Sequence, residues 1–475
     1  MEATELFRRW AAPRGVAVVG ASADPSTIGG KPLVYLRRHG YAGRVWPVNP
    51  KYPSVQGLKA YPDIESVPDP VDVAVIAVGA ARVPEMLERT AARGIPLAVV
   101  FSSGFAETGP EGAALQAEVT AIARRTGIRV LGPNCQGYAA FPAGAAVGFS
   151  MALEERGPVG DLALVSQSGA LGFSLFNQLL ERQEAFRYVT STGNEADLTV
   201  ADVLGWYGAD PEVGRIMVYL EGVRRPEAFY GALEEARRRG VPVVVLKGGR
   251  TAVGRTAARA HTGADAGDYD AFRTAMREVG AILVEDVEEA ADVLAVLRAT
   301  PPPRAAGVGV VSTSGGAGVL LADGLLAQGF DVPALAPATR ARLKEVIPPF
   351  GSPDNPVDVT AQVIGDTAAV REALGAVADD PGVAVLAVAL TMVTGITATR
   401  LVDVLLELKS RVAKPVVLLW TASRRVTGPE EERLAAAGIP LLRSPGALAR
   451  ALGHWYRWHW AHHNHHAGPG GPGTP

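Results

Sequence analysis

The sequence predicts an α/β protein with three consecutive doubly wound parallel sheets. Three features of the 475 residues carry that expectation. Runs of Val, Ile, Leu and Ala recur without polar alternation, which marks strands covered on both faces. An amphipathic stretch follows each run and supplies the crossover that parallel pairing needs. The openings Val16–Ser22, Leu162–Ala170 and Val308–Gly318 share one plan: an apolar run, a turn of small residues, a helix start. Their spacing is that of whole domains, far beyond a solenoid repeat.

The first block is expected to pair strands at Val16–Val19, Val45–Val48, Val73–Val78, Leu97–Phe101 and Arg129–Leu131. Gly144 to Gly160 reads as a linker. The second block places strands at Asp161–Ser166, Tyr188–Ser191, Ile216–Leu220, Val243–Leu246 and Ile282–Val284, and Pro301–Arg304 then punctuates the chain. The third has Gly307–Ser312, Val383–Leu390 and Val416–Trp420. Domains are therefore expected over 1–145, 155–300 and 305–462, with a disordered tail over 463–475.

Composition narrows the function. The net charge of −3, with no basic block, argues against nucleic acid as a partner. No apolar run reaches the roughly 18 residues of a membrane span, and Met1–Gly15 lacks an apolar signal core. A cytoplasmic protein is expected. The one cysteine, Cys135, excludes an internal disulfide and any multi-cysteine metal site, and no metal site is assigned. Six of the eight histidines (454, 459, 462, 463, 465, 466) crowd the C-terminal end. They suit zinc or nickel, or else an aromatic helix with an incidental polar tail, and the second reading is preferred.

A strand, a small-residue turn and a helix N-terminus make an anion site, because unpaired amides and the helix dipole point outward. The first turn, from Gly20, Ala21 and Ser22, is not the G-x-G-x-x-G of a dinucleotide site. The next strand ends Asn49-Pro50-Lys51, a lysine where a nicotinamide dinucleotide wants an acid for its ribose. Lys51 suits a phosphorylated adenosine, and coenzyme A with its ribose 3′-phosphate fits; a solvated surface lysine is the alternative. The second turn, Ser166, Gln167, Ser168, Gly169 and Ala170, suits a phosphoryl group or mere N-capping by Ser168, worth about 1 kcal/mol. The third, Ser312–Gly318, is as well explained by packing as by a second anion site.

His39 and His261 are the two histidines outside the C-terminal cluster. His261 follows an apolar strand in a glycine-rich segment that reads as a loop, a placement suited to a nucleophile or proton carrier. A histidine in that role needs a carboxylate to fix its tautomer. The candidates are Glu221, Asp265, Asp268 and Glu195. Glu221 is preferred because it ends the strand Ile216–Leu220, where doubly wound sheets place their sites. Asp265 and Asp268 read as caps of the next helix.

Taken together, Val18–Ser22, Pro47–Lys51, Ser102–Glu107, Gly132–Gly137, Ser166–Leu171, His261–Gly263 and Ser352–Asp358 resemble, in order, the α subunit of the NDP-forming acyl-CoA synthetases, the ADP-forming acetate–CoA ligase type related to succinyl-CoA synthetase α. The resemblance implies a Rossmann-like CoA-binding domain and two flavodoxin-like domains. It implies that His261 is phosphorylated, that Glu221 orients it, and that Ser166–Ala170 receives the phosphate. Gly20, Ala21, Ser22, Lys51, Ser102 and Ser103 are implied for CoA, with Asn134 and Cys135 beside the thiol end and Cys135 a packing residue. The implied reaction is acyl-CoA + Pi + ADP ⇌ carboxylate + CoA + ATP. No ATP-grasp module remains within the three blocks, so a β subunit carrying Mg-ADP or Mg-ATP is the expected partner in a hetero-oligomer. His261 must then serve two sites, and the segment 248–267 is expected to move. The rivals are a CoA- or acyl-CoA-binding regulatory protein on this scaffold and, more weakly, a dehydrogenase.

Overall fold

The computed structural model describes residues 2–262, 267–299 and 301–466, with side chains outside 258–262 and 463–466. The chain forms two compact units, Met1–Glu285 and Asp286–Pro475.

The first unit holds two sheets. In one, Arg44–Val48, Gly15–Val19, Val73–Ile76, Leu97–Val100 and Arg129–Leu131 lie side by side in that order, all parallel. Strand side chains alternate between faces, and here both faces are covered. Val16, Val18, Val73, Val75, Leu97 and Val99 fill one core. Ala17, Val19, Ala74, Ile76, Ala98 and Val100 fill another. Unbroken apolar runs are the sequence trace of that double burial, worth about 1.5–3 kcal/mol for each large side chain.

The second sheet runs Ile282–Val284, Val243–Lys247, Arg215–Leu220, Val159–Ser166 and Phe186–Ser191, all parallel, and then adds Gly137–Ala140 and Ala145–Gly148, which are antiparallel. That hairpin corrects the linker reading of 144–160. The chain leaves the last strand of the first sheet and at once closes the edge of the second. Glycine and alanine hide these strands from a propensity reading, yet all eight residues are buried. Their small size admits large neighbours. Trp10 stacks on Tyr138 at 4.5 Å between ring centres, and a Cβ on Gly137 would lie 2.1 Å from the Val147 carbonyl oxygen.

The second unit is built on a parallel sheet ordered Val357–Asp358, Val308–Ser312, Val385–Leu390, Val416–Trp420 and Leu441–Leu442. Asn355 explains part of the Ser352–Asp358 motif. Its side chain accepts from Val310 N and donates to Val308 O and Pro333 O, tying the motif to the central strand. The helix Val287–Val296 belongs to this unit and packs on the helix Pro445–His466. That last helix runs through residue 466, so 463–466 are helical where a disordered tail was expected; 467–475 lie outside the described residues.

Candidate functional site

In each sheet of the first unit the order of the parallel strands reverses beside the one that comes first in the chain, and the carboxyl edge at that reversal is where such folds open a crevice. In the first sheet the crevice lies beyond Gly15–Val19 and Val73–Ile76. Gly20 has φ +83°, and a Cβ there would sit 2.3 Å from Ala77 O, so the turn admits only glycine. Asn49 Nδ2 donates to Ala21 O, and Gln56 Nε2 donates to Ser22 O and Gly30 O, which fixes the Gly20–Ser22 turn from the side. Neither Asn49 nor Gln56 was assigned a role from sequence. Lys51 stands exposed past the end of the neighbouring strand, its backbone NH on Asn49 Oδ1. Ser102 donates through Oγ to Val78 O, and Ser102 O accepts from Asn134 N. Ser103 is exposed at the same edge. All seven residues expected at CoA thus sit at one edge of one sheet.

Asn134 joins this edge to the second sheet. Its Nδ2 donates to Asn194 Oδ1, and Asn194 donates to the carboxylate of Glu107. Glu107 in turn accepts from Gly104 N and Phe105 N, holding the loop that follows Ser102–Ser103. Burial works to raise the Glu107 carboxyl, but the bonds from Asn194, Gly104 and Phe105 outweigh it and hold its pKa below the usual value. Backbone bonds from Asn194 N to Pro133 O and Ala196 N to Gly132 O complete the seam. Cys135 lies under it, fully buried, its thiol pushed up to about 12 by desolvation; it packs and is not set up to attack.

At the second sheet's crevice, Ser166 ends its strand and the helix Gly169–Glu181 begins. Ser168 caps that helix by accepting from Leu171 N at 3.3 Å, so the capping reading of this turn holds. The turn keeps its helix-start amides at the crevice as well. Ser166 is buried, its hydroxyl donating to Ser168 O. Gly169 leaves room for a neighbour: a Cβ there would meet Gln136 Cγ at 2.7 Å and force that side chain to shift. Gln136, which the sequence reading left without a role, therefore lies directly over the helix start.

Gln167 does something other than expected. Its Oε1 accepts from Glu221 N at 2.6 Å and Gly222 N at 3.0 Å, and its Nε2 donates to Gly222 O and Glu195 Oε2. The side chain is committed to protein partners and not to an incoming phosphate. Glu221, 6% exposed, directly follows the Arg215–Leu220 strand beside this turn, and Tyr219 OH reaches its Oε1 at 3.4 Å. On the other side Lys247 Nζ donates to Glu221 O at 2.8 Å and Gly248 O at 2.6 Å. Lys247 was missed because the strand was ended at Leu246; a lysine closing the apolar run VVVLK is the same signal that singled out Glu221. Glu195, the alternative carboxylate, is buried at φ +56° and accepts from Thr192 Oγ1, Val200 N and Gln167. Desolvation raises its pKa.

The segment carrying His261 is a helix, Ala252–Thr262, and not the loop expected. Its alanines and arginines are strong helix formers and outweigh Gly254. Thr251 starts it, accepting from Gly254 N at 3.1 Å. The helix follows the Val243–Lys247 strand and lies against the Ala106–Thr108 turn. The His261 side chain and residues 263–266, Asp265 among them, lie outside the described residues. Asp268 caps the helix Tyr269–Val279 through bonds from Asp270 N and Ala271 N, as its sequence context suggested.

In the second unit the Ser312–Gly318 turn repeats the pattern, with Ser312 Oγ donating to Ser314 O and Asp358 Oδ2 3.0 Å from a Cβ built on Gly315. In the C-terminal helix His462 stacks on Trp458 and His454 pairs with Glu289 at 3.2 Å. Among the described residues no group of three His, Cys, Asp or Glu is placed to hold a metal ion, and no helix is long and apolar enough to cross a membrane.

Comparison with known proteins adds three kinds of match. Family models match in series: a CoA binding domain over residues 14–140, a succinyl-CoA ligase like flavodoxin domain over 159–297, and a ligase-CoA domain over 308–464. The α subunit of acetate–CoA ligase [ADP-forming] I of Pyrococcus furiosus is 32% identical over 94% of this chain and 96% of its own length. The acetate–CoA ligase [ADP-forming] I of Archaeoglobus fulgidus is 34% identical over 93% of this chain, which spans 62% of that longer protein. Among solved structures, the dinucleotide-forming acetyl-coenzyme A synthetase 1 of Ca. Korarchaeum cryptofilum, in complex with phosphate and ADP, is similar with a TM-score of 0.88 at 33% identity, covering 96% of this chain and 97% of that one.

Proposed function

This chain belongs to the family of ADP-forming acetate–CoA ligases, as its α-type part, and from that membership we propose that it interconverts acyl-CoA + Pi + ADP and carboxylate + CoA + ATP through an acyl phosphate and a phosphohistidine. Phosphate attacks the thioester carbonyl; the C–S bond breaks and CoA leaves as thiolate. His261 then attacks phosphorus, the P–O bond to the acyl group breaks, and the carboxylate departs. The phosphohistidine passes its PO₃ to ADP.

One observation carries this reading. Glu221 and the Ser166–Ala170 turn meet at one sheet edge, joined through Gln167, and the helix bearing His261 leaves the adjoining strand. A carboxylate at the imidazole would stabilise the positive ring, and helix-start amides would stabilise the moving phosphoryl oxygens without reorganising. Gly20–Ser22, Lys51, Ser102, Ser103 and Asn134 are assigned to CoA, with the thiol end toward Asn134. Domains are assigned over 1–136, 137–285 and 286–462, which moves the hairpin 137–148 to the second and the helix Val287–Val296 to the third relative to the bounds expected from sequence. The nucleotide step is assigned to a partner with an ATP-grasp domain that binds Mg-ADP or Mg-ATP; the Pyrococcus relative named as a subunit and the longer Archaeoglobus relative support this. The site of action is assigned to the cytoplasm.

The test is incubation with acetyl-CoA and labelled phosphate. Wild-type chain is expected to acquire an acid-labile, base-stable label that His261→Ala does not. An unlabelled wild type would leave only a CoA-binding protein.

A further inference from the structure

The strand ending at Leu220 is flanked on one side by the strand ending at Ser166 and on the other by the strand ending at Lys247. Backbone pairing stops at Leu220, which is matched with Lys247. One residue further, Glu221 lies in no strand or helix. A residue just past a strand end ordinarily loses the ladder that aims its side chain. Here two side chains continue the ladder. Gln167 accepts from Glu221 N, and Lys247 donates to Glu221 O. Both are almost fully buried, at 7% and 4% exposure. The following residue is held by the same device, Gly222 N and O both bonding the Gln167 amide. Glu195 steadies Gln167 from behind and lies 3.6 Å from Arg224 Nε, a residue of the loop that Glu221 opens.

Resting on the reading of Glu221 as the carboxylate that orients His261, we propose that Gln167 and Lys247 are positioning residues that fix the backbone of Glu221 and thereby aim its carboxylate. Gln167 then belongs to the orienting carboxylate and not to the phosphate. A buried amide with both ends bonded and a buried ammonium capping two carbonyls are costly to maintain unless the geometry they impose is used. Small displacements of an orienting group are felt strongly in such a step.

The full-length chain tests this with ³²P-labelled acetyl phosphate as phosphoryl donor and calorimetric binding of CoA as the control for folding. Gln167→Leu and Lys247→Met are expected to label His261 ten- to a hundredfold more slowly, on the order of an orienting-group loss, with CoA affinity unchanged. Lys247→Arg, which keeps a donor toward Glu221 O, should recover most of the rate. Wild-type labelling in both variants, with Glu221→Gln slowed, overturns the proposal and leaves Glu221 standing. Wild-type labelling by Glu221→Gln itself overturns the reading beneath it. Loss of CoA binding together with labelling, unrescued by Lys247→Arg, reduces both residues to a structural role and also overturns it.

Discussion

At the scale of single residues, charge placement decides what can be tested. Among the described residues the Lys51 side chain bonds no protein partner, and it stands exposed at the edge of the first sheet proposed for CoA. Lys51→Ala should weaken CoA about tenfold, the size of one charge-assisted hydrogen bond, and leave dephospho-CoA unaffected; equal losses on both ligands in calorimetry would remove Lys51 from the 3′-phosphate. His39 offers a pH effect. It is buried, its Nε2 bonds Leu153 O, and desolvation holds its pKa below the ordinary value. The unfolded chain therefore takes up a proton first as pH falls. Stability is fully present above the unfolded pKa near 6.5 and is lost below it. His39→Gln should flatten the fall in melting temperature between about pH 7.5 and about pH 5.5; a parallel fall in wild type and variant would assign the acid sensitivity elsewhere. Glu221 was legible because an acid closing an apolar strand has no packing explanation. The bonds that Gln167 makes were not, since spacing places a residue on an edge without saying which way its amide turns.

At the scale of elements, strands rich in Val and Ile could be read to within a residue or two, Arg129–Leu131, Ile282–Val284 and Val416–Trp420 without error. Strands made of Gly and Ala, and the two-residue strands Val357–Asp358 and Leu441–Leu442, could not, because their identity comes from neighbours and not from their own composition. The helix of His261 was obscured by its glycines, which read as a loop. The seam between the first two sheets also turns on a glycine. Gly193 has φ +58°, and a Cβ on it would lie 2.3 Å from Pro133 O. Gly193→Ala should cost about 1–3 kcal/mol, a loss of roughly 2–4 °C per kcal/mol for a body of this size. A calorimetric melt within a degree or so of wild type would show that the seam yields without strain.

At the scale of the whole molecule, the three-sheet plan was legible from repeated strand openings, while the unit boundary was not. Val287–Val296 looks like the close of the second block, yet it buries Ala290, Val293, Leu294 and Val296 within the second unit. A fragment 286–475 should melt cooperatively, and one starting at 305 should melt lower or aggregate; equal melts would show that the helix adds nothing to that core. The hairpin of residues 137–148 has a further consequence for protein engineering. The matched CoA binding domain stops at residue 140 and the next matched domain starts at 159, so an exchange of modules between relatives would naturally be spliced in that gap. A splice within 141–144 would give the recipient one donor strand and one native strand at the rim of a single β-layer, and one within 149–158 would part both strands from the layer they complete, so chimaeras should behave better when the junction is moved upstream of Gly137.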